Sequence, residues 1–216
     1  MFLGHYGVAF GVKTVAPKPS LGTFILAAQP ADLVWPILLL LGVERVRIVP
    51  GLMAASPMDF TYYPYTHSLL TQALAGLIFG AVYFALRKDG LGAVALGAAV
   101  VSHWFLDLLV HRPDLPVWPG GPKLGFGIWN SVALTLAAEA LFFGGGLYLY
   151  LRATAPRDRT GVWALWGLVA LLVACYAAAG LGPPPPGSTP VAVSAVVLWL
   201  FVPWGYWIDR HRRLRA

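Results

Sequence analysis

Long apolar stretches separated by short polar segments dominate the pattern of the chain. Six of them approach the roughly 20 residues that a helix needs to cross a bilayer: 22–43, 67–86, 91–110, 127–151, 161–181 and 190–208. A further stretch, 2–12, is too short to span and predicts a re-entrant or interfacial helix. It lacks the basic segment that begins a cleaved signal peptide. The pattern predicts an all-α fold, a polytopic membrane helical bundle.

The composition favours a membrane protein over a soluble one. Hydrophobic residues make up 58% of the chain, the mean hydropathy is +0.70, and only 11% of the residues are charged. A soluble domain would carry about a quarter charged residues. We therefore predict a single integral membrane domain over residues 1–216, with a metal-site core at 1–140 and bundle-completing helices at 141–216.

The positions of the basic residues indicate membrane topology and argue against a nucleic-acid partner. The net charge is +6, and the cations form three clusters: Arg87 and Lys88; Arg152, Arg157 and Arg159; Arg210, Arg212, Arg213 and Arg215. With the predicted spans, all three fall on one side, as the positive-inside rule requires of a cytoplasmic face. We expect a cytoplasmic C-terminus in a bacterial inner membrane. The single cysteine, Cys175, leaves no intrachain disulfide or multi-thiolate metal site.

One predicted span carries ionisable side chains at regular spacing: His103, Asp107 and His111. Such groups are costly at membrane depth unless they are paired or ligated, and so they indicate function. The spacing of four puts His103 and Asp107 on one helical face, where both can reach one metal ion. His111 would lie about 12 Å from His103 along the axis, too far for one ion. Either two metals share Asp107, or the helix ends before Pro113 and His111 bends back.

Four further residues could complete a metal site with His103, Asp107 and His111, which we call the ladder. Asp32 lies between two prolines, which would break the helix and free its backbone to line a cavity. His67 begins its span on the outer side, Glu139 is the remaining deep acid, and His5 lies in the short N-terminal segment. Taken singly, these side chains also have structural interpretations, such as a hydrogen-bonded core histidine or an acid that neutralises a buried cation. Together they predict a site towards the outer face.

The residue types also restrict the metal. Imidazole and carboxylate ligands without a thiolate suit zinc, ahead of manganese or iron. The candidate ligands exceed the four that a tetrahedral zinc accepts, so we expect one or two divalent transition-metal ions, with zinc favoured.

The order of the motifs resembles a known family. GHYGVAFG, QPADLVWP, YTHSLL and SHWFLDLLVHRP follow one another as in YdjM-like membrane-bound metal-dependent hydrolases, described as LexA-regulated in some bacteria. The pattern is also similar to the ligand order of the zinc-dependent phospholipase C and single-strand nuclease superfamily. The resemblance covers residues 1–140 and implies these ligands: His5, Asp32, His67, His103, Asp107 and His111.

The chain departs from the superfamily pattern at one element. A later His-x-x-x-Glu completes the superfamily cluster, whereas this chain has Thr135-x-x-x-Glu139. The carboxylate is present and the histidine is not, which favours one or two ions over three. The resemblance implies a phosphoester substrate, and a site at the outer membrane interface implies a lipid or a lipid-linked one.

Two functions from different classes fit these observations. The first is a metal-dependent hydrolase in which Asp32 is a ligand or the general base, with Glu139 as the next candidate base. The second is a non-enzymatic membrane transporter or metal-binding membrane protein, which as a transporter would need polar residues through the whole bundle. The inner halves of the spans, such as FFGGGLYLYLR, carry almost none, which favours an enzyme with a one-sided cavity. Membrane lipids are the partners expected, and the sequence does not specify an oligomeric state.

Overall fold

The computed structural model describes residues 1–215, and most of them are helical. The helices, in chain order, are α1 (Leu3–Val15), α2 (Leu21–Ala28), α3 (Pro30–Leu40), α4 (Pro64–His67), α5 (Leu69–Arg87), α6 (Gly90–Val110), α7 (Val132–Ala153), α8 (Arg159–Leu181), α9 (Ser188–Ala195) and α10 (Phe201–Arg210). A 3-10 segment, Val196–Leu200, joins α9 to α10. Five segments are long and apolar enough to cross a membrane: α5, α6, α7, α8 and Ser188–Arg210. The predicted helical membrane bundle is confirmed at this level.

The first predicted span, 22–43, is two helices and not one. α2 and α3 together pass as a span by length and hydropathy, but they are bent by 54° at their junction. Pro30 lacks an N–H and restricts the residue before it, so the helix cannot continue through this position. Pro36, in contrast, lies within α3 without ending it. If the bent pair is counted as one span, the total becomes six.

The short helix α1 lies in the core of the bundle and not at an interface, which corrects the interfacial alternative, while the re-entrant one stays a prediction. Tyr6, Ala9 and Phe10 are fully buried. The backbone of α1 also packs directly on that of α7, since a Cβ atom on Gly146 would lie 1.9 Å from the carbonyl oxygen of Gly7. Small residues permit this close approach between helices in membranes. The length of the apolar stretch, on which the prediction rested, does not report this packing.

The bundle has two chemically different ends. At the site end, the amino group of Met1 contacts Asp107 of α6. The 13-residue helix α1 runs from there to the opposite, basic end of the bundle. At that end, Lys13 Nζ lies 3.1 Å from Asp209 Oδ2. All three basic clusters predicted to share one side lie at the basic end, because α5, α7 and α10 each finish there.

Three small antiparallel sheets cover the ends of the bundle. At the site end, β1 (Arg45–Ile48) pairs with β2 (Met58–Tyr62), and β3 (Leu115–Pro116) pairs with β4 (Lys123–Leu124). At the basic end, β5 (Thr154–Pro156) pairs with β6 (Arg212–Leu214). Strands of two to five residues are too short to show an alternating pattern, and the sequence did not predict them. A buried aromatic cluster lies beneath the site-end sheets and includes Trp35, Phe60, Tyr63, Trp104 and Trp129.

The two-ended bundle yields a topology prediction. In a Cys175→Ala background, which removes the exposed native thiol, Lys123→Cys at the site end should react with a membrane-impermeant maleimide in intact cells. Arg159→Cys at the basic end should react only after the membrane is opened, because the positive-inside rule puts that end in the cytoplasm. Labelling of Arg159→Cys in intact cells would reverse the orientation.

Candidate metal centre

The end of α6 decides between the two interpretations of the ladder. α6 ends at Val110, and His111 has extended backbone angles, with φ −64° and ψ 145°. The chain therefore leaves the helix axis, and His111 Nε2 comes to 4.0 Å from Asp107 Oδ2. His103 Nε2 lies 3.3 Å from the same oxygen. The ladder thus folds back around Asp107, as the second alternative predicted.

Three other helices bring the remaining candidate ligands to the same place. His5 of α1 puts its Nε2 3.2 Å from Asp107 Oδ1. His67, the last residue of α4, puts its Nε2 3.4 Å from Asp32 Oδ1 and 3.9 Å from Asp107 Oδ2. His103 Nε2 also lies 3.8 Å from Asp32 Oδ1. All six ligands implied by the resemblance therefore converge.

Hydrogen bonds fix which nitrogen of two of these rings points into the site. His103 Nδ1 lies 2.9 Å from the carbonyl oxygen of Ala28, which can only accept, so Nδ1 carries a hydrogen. His111 Nδ1 lies 3.0 Å from Asp114 Oδ1, an acceptor when ionised. In a neutral ring the other nitrogen, Nε2, then presents its lone pair to Asp107.

The ring of His67 is fixed by a relay of two side chains. The Thr66 hydroxyl donates to Glu44 Oε2 at 2.6 Å, so its oxygen is free to accept from His67 Nδ1 at 2.7 Å. Glu44 is itself held by the backbone N–H groups of Tyr65 and Thr66. The lone pair on His67 Nε2 therefore faces Asp32. Such a carboxylate or carbonyl behind each imidazole is the usual support of a metal-binding histidine.

The charges of the cluster fit a bound cation. A lone pair and a carboxylate repel each other unless a proton or a cation lies between them, and the Nε2 atoms of three rings face Asp32 and Asp107. Asp32 and Asp107 together match the charge of one divalent ion, whereas protonating His67, His103 and His111 would set three positive charges against the two carboxylates. The Nε2 atom of His103 is buried and makes no hydrogen bond within residues 1–215. The side chains present therefore fit a divalent metal.

The ligand atoms divide into two overlapping groups. One contains His5, His103 and Asp107; the other contains Asp32, His67 and His103; within each, the ligand atoms lie within 4.8 Å of one another. Because the groups share His103, they can hold one ion with alternative ligands or two ions side by side. His111 belongs to neither group but adjoins both through Asp107.

The break between α2 and α3 contributes to the site in two ways. Pro30 has no N–H, and the bend leaves the carbonyl of Ala28, at the end of α2, available to His103. Asp32 lies in the first turn of α3, where the partial positive charge of a helix N-terminus stabilises a carboxylate. Its side chain keeps 21% of its surface exposed, against 4% or less for His5, His67, His103 and Asp107. The cluster therefore opens at Asp32.

The structure gives Glu139 a different place from the ligands. Its two oxygens accept the backbone N–H groups of Phe2 and Gly4, at 2.7 and 2.8 Å, and so cap the N-terminus of α1. Thr135, at the superfamily histidine position, donates its hydroxyl to the backbone oxygens of Ile128 and Ser131. The Glu139 contacts position the helix that carries His5, and the catalytic role of Glu139 stays a prediction.

The sequence interpretation missed the residues that support the ligands, chiefly Glu44 and Asp114. Asp114 lies just beyond a proline in the segment after α6, where it is buried and also accepts from Tyr63 and Arg112. Burial would raise the pKa of Asp114, but these donors and His111 outweigh it, so the pKa lies below its usual value. An acid three residues after a candidate ligand was the available signal. Nothing in the local sequence of Glu44 indicates its role.

Aromatic side chains form the outer wall of the cluster. Trp129 has its ring centre 4.5 Å from that of His111. Phe60 lies at 4.8 Å from the same ring, and Trp35 packs edge-on against His67 at 6.3 Å. Apolar walls reduce the access of water, which strengthens the interaction between a cation and its ligands.

Comparison with known proteins adds no assignment. No protein family, curated protein or solved structure is significantly similar to this chain.

The geometry predicts that the purified protein contains metal. We expect one or two transition-metal ions per chain in elemental analysis after chelator-free purification in detergent. Asp107→Asn should reduce occupancy to background, because it removes the anionic oxygens that His5, His103 and His111 surround. His211→Asn, a histidine at the basic end, is the matched control and should retain the metal. A metal-free native protein would exclude the proposed centre.

The contact behind His111 gives a second prediction. Asp114→Asn removes the anionic acceptor of His111 Nδ1 and should weaken metal binding by about 10–100-fold, the usual effect of losing such a support. Competition with a chromophoric chelator measures the affinity. Asp158→Asn is the control, since Asp158 makes the same type of contact with His211 at the basic end, at 2.7 Å. Equal loss in both variants would show a general effect on stability.

Proposed function

We propose that this protein is a membrane-embedded, metal-dependent hydrolase that acts on a phosphoester of a lipid or lipid-linked substrate. The observation that carries the proposal is the inward orientation of His67 and His103, whose Nε2 atoms face the carboxylates of Asp32 and Asp107. Zinc is the favoured metal, because every candidate ligand is an imidazole or a carboxylate. The ligand order supports the same reaction class through its resemblance to the phospholipase C superfamily and to YdjM-like hydrolases.

The residues of the cluster have separable tasks. A divalent ion bound here would lower the pKa of a water molecule towards neutrality and polarise a phosphoryl oxygen. His67, His103 and Asp107 would hold it, with His5 and His111 beside them. Within residues 1–215, Asp32 is the one partly exposed carboxylate of the cluster, and its contacts with His67 and His103 are made through Oδ1. It can therefore accept the proton of an attacking water at its free oxygen.

The surroundings of the cluster favour an amphiphilic substrate. Asp32 opens to the surface on a helix whose outer positions are apolar, with Val34, Ile37 and Leu40 exposed. A hydrocarbon chain can lie along these side chains while its polar headgroup reaches the cluster. At the site end, Arg47 and Arg112 both pair with Asp59. We take these ion pairs to restrict the approach of substrate to the side on which Asp32 is exposed.

The bundle interior argues against a transport pathway. Between His5 and Lys13, α1 buries Ala9 and Phe10, and α6 buries Leu96, Ala99 and Val100 on the side away from the cluster. A proton or metal relay needs polar side chains along the whole path. The buried polar groups around the cluster stop well short of the basic end, so the geometry favours a one-sided site.

Substitution of Asp32 separates a general base from a ligand. If Asp32 is the base, Asp32→Asn should keep the metal and lose about 10²–10⁴-fold in rate, the usual contribution of acid–base catalysis. The assay is hydrolysis of fluorogenic phosphomonoesters and phosphodiesters and of phospholipids in mixed micelles. Asp107→Asn should lose metal and activity together.

Other outcomes redirect the assignment. Loss of metal in Asp32→Asn would make Asp32 a ligand, and Glu139→Gln would then be the next variant to assay. A metal-loaded native protein that hydrolyses none of these esters, but carries metal ions across proteoliposome membranes, would replace the hydrolase proposal with the transporter.

A further inference from the structure

A second cavity lies at the basic end, remote from the metal centre. Its volume is about 210 Å³. The ends of α1, α7 and α10 and the β5–β6 sheet form its walls. The lining residues are Lys13, Pro17, Tyr150, Thr154, Arg157, Asp209, Arg212, Arg213 and Leu214.

A buried arginine forms part of this cavity. Arg212 is only 6% exposed, and its guanidinium donates to Thr154 Oγ1 at 2.9 and 3.1 Å and to the carbonyl oxygen of Gly161 at 3.2 Å. The same group stacks over the ring of Tyr150, 5.4 Å from its centre. All these partners are neutral, so the protein holds the cation in place without cancelling its charge.

The cavity wall also contains a polar group without a partner. Tyr150 is fully buried, and its hydroxyl makes no hydrogen bond within residues 1–215. Buried hydroxyls are normally bonded, so an unpaired one next to a cavity is available to donate to a bound ligand. Because the ring stacks on Arg212, this hydroxyl and the guanidinium belong to one polar surface.

The cavity carries an excess of positive charge. Its one acid, Asp209, is matched by Lys13 at 3.1 Å and also accepts the N–H of Leu21 at 2.7 Å. The three arginines of the lining form no ion pair with a carboxylate within residues 1–215: Arg157, Arg212 and Arg213. Guanidinium groups together with a hydroxyl donor can bind the oxygen atoms of a phosphate group.

We propose that this cavity binds the phosphate of an anionic phospholipid headgroup. It lies where two membrane-length segments, α7 and Ser188–Arg210, end, and next to it α10 exposes Tyr206 and Trp207, residues typical of the bilayer interface. Basic clusters at the cytoplasmic ends of spans attract anionic lipids. The cavity adds the buried donors Tyr150 and Arg212, which hold the phosphate at one position. The site is independent of the metal centre and of the hydrolase assignment.

Lipid-dependent thermal stability tests the proposal on the full chain in detergent. Phosphatidylglycerol should raise the unfolding temperature at lower concentration than phosphatidylcholine. Tyr150→Phe, which keeps the ring stacked on Arg212, should weaken this effect about tenfold, as expected from losing one hydrogen bond to a charged group. Arg213→Gln should weaken it similarly. The matched control for Tyr150→Phe is Tyr148→Phe, since Tyr148 is an exposed tyrosine two residues earlier on α7. The matched control for Arg213→Gln is Arg159→Gln, which removes the same charge outside the cavity.

Each other result counts against the proposal. If the cavity variants and their controls lost the phosphatidylglycerol effect on unfolding temperature equally, the effect would come from general attraction between a basic surface and acidic lipid, and not from the cavity. Stabilisation by inorganic phosphate, with none by phosphatidylglycerol, would overturn the lipid assignment in favour of a soluble phosphate ligand. No difference between the two lipids would exclude an anion-selective site.

Discussion

A carboxylate inside an apolar helix bundle needs a matching positive charge or several hydrogen-bond donors, and Asp107 imposes this requirement on its neighbours. Both of its oxygens are surrounded: Oδ1 by His5 and the Met1 amino group, and Oδ2 by three imidazole nitrogens. Side chains of α1, α4 and α6 meet at this residue for that reason. A bundle that positioned any of them elsewhere would leave an ionised group unmatched at membrane depth.

The groups that hold the histidine rings are as decisive as the rings. Ala28 offers a carbonyl freed by a helix break, Thr66 relays to Glu44, and Asp114 follows the end of α6. Each supplies an acceptor on the far side of an imidazole, so each ring has one orientation. The fold thus uses its irregular elements, a bend and two helix ends, where a regular helix would have no spare acceptor.

Much of this arrangement could be predicted from the sequence, and the reasons for the exceptions are physical. Hydropathy predicts the spans, and the spacing of His103 and Asp107 predicts a shared site, because both depend on local periodicity. His111 joins them because α6 ends before Pro113. The burial of α1 depends on helix-to-helix contact, and the supporting roles of Glu44 and Asp114 depend on chain segments brought together by folding. Local periodicity carries neither. Glu139 shows the same limit, since its spacing suggested chemistry and its contacts are with the backbone of a distant helix.

The backbone contact between Gly7 and Gly146 extends the functional site to positions without a functional group. Gly7 is two residues from His5, and any side chain at either glycine would force α1 away from α7. A rigid helix transmits such a shift to all its residues, so His5 and the helix start that Glu139 caps would move together. Substitutions should therefore be poorly tolerated at the glycines of the α1–α7 contact, as well as at the histidines and acids of the cluster. A survey restricted to polar residues would overlook these glycines, although they hold His5 in position.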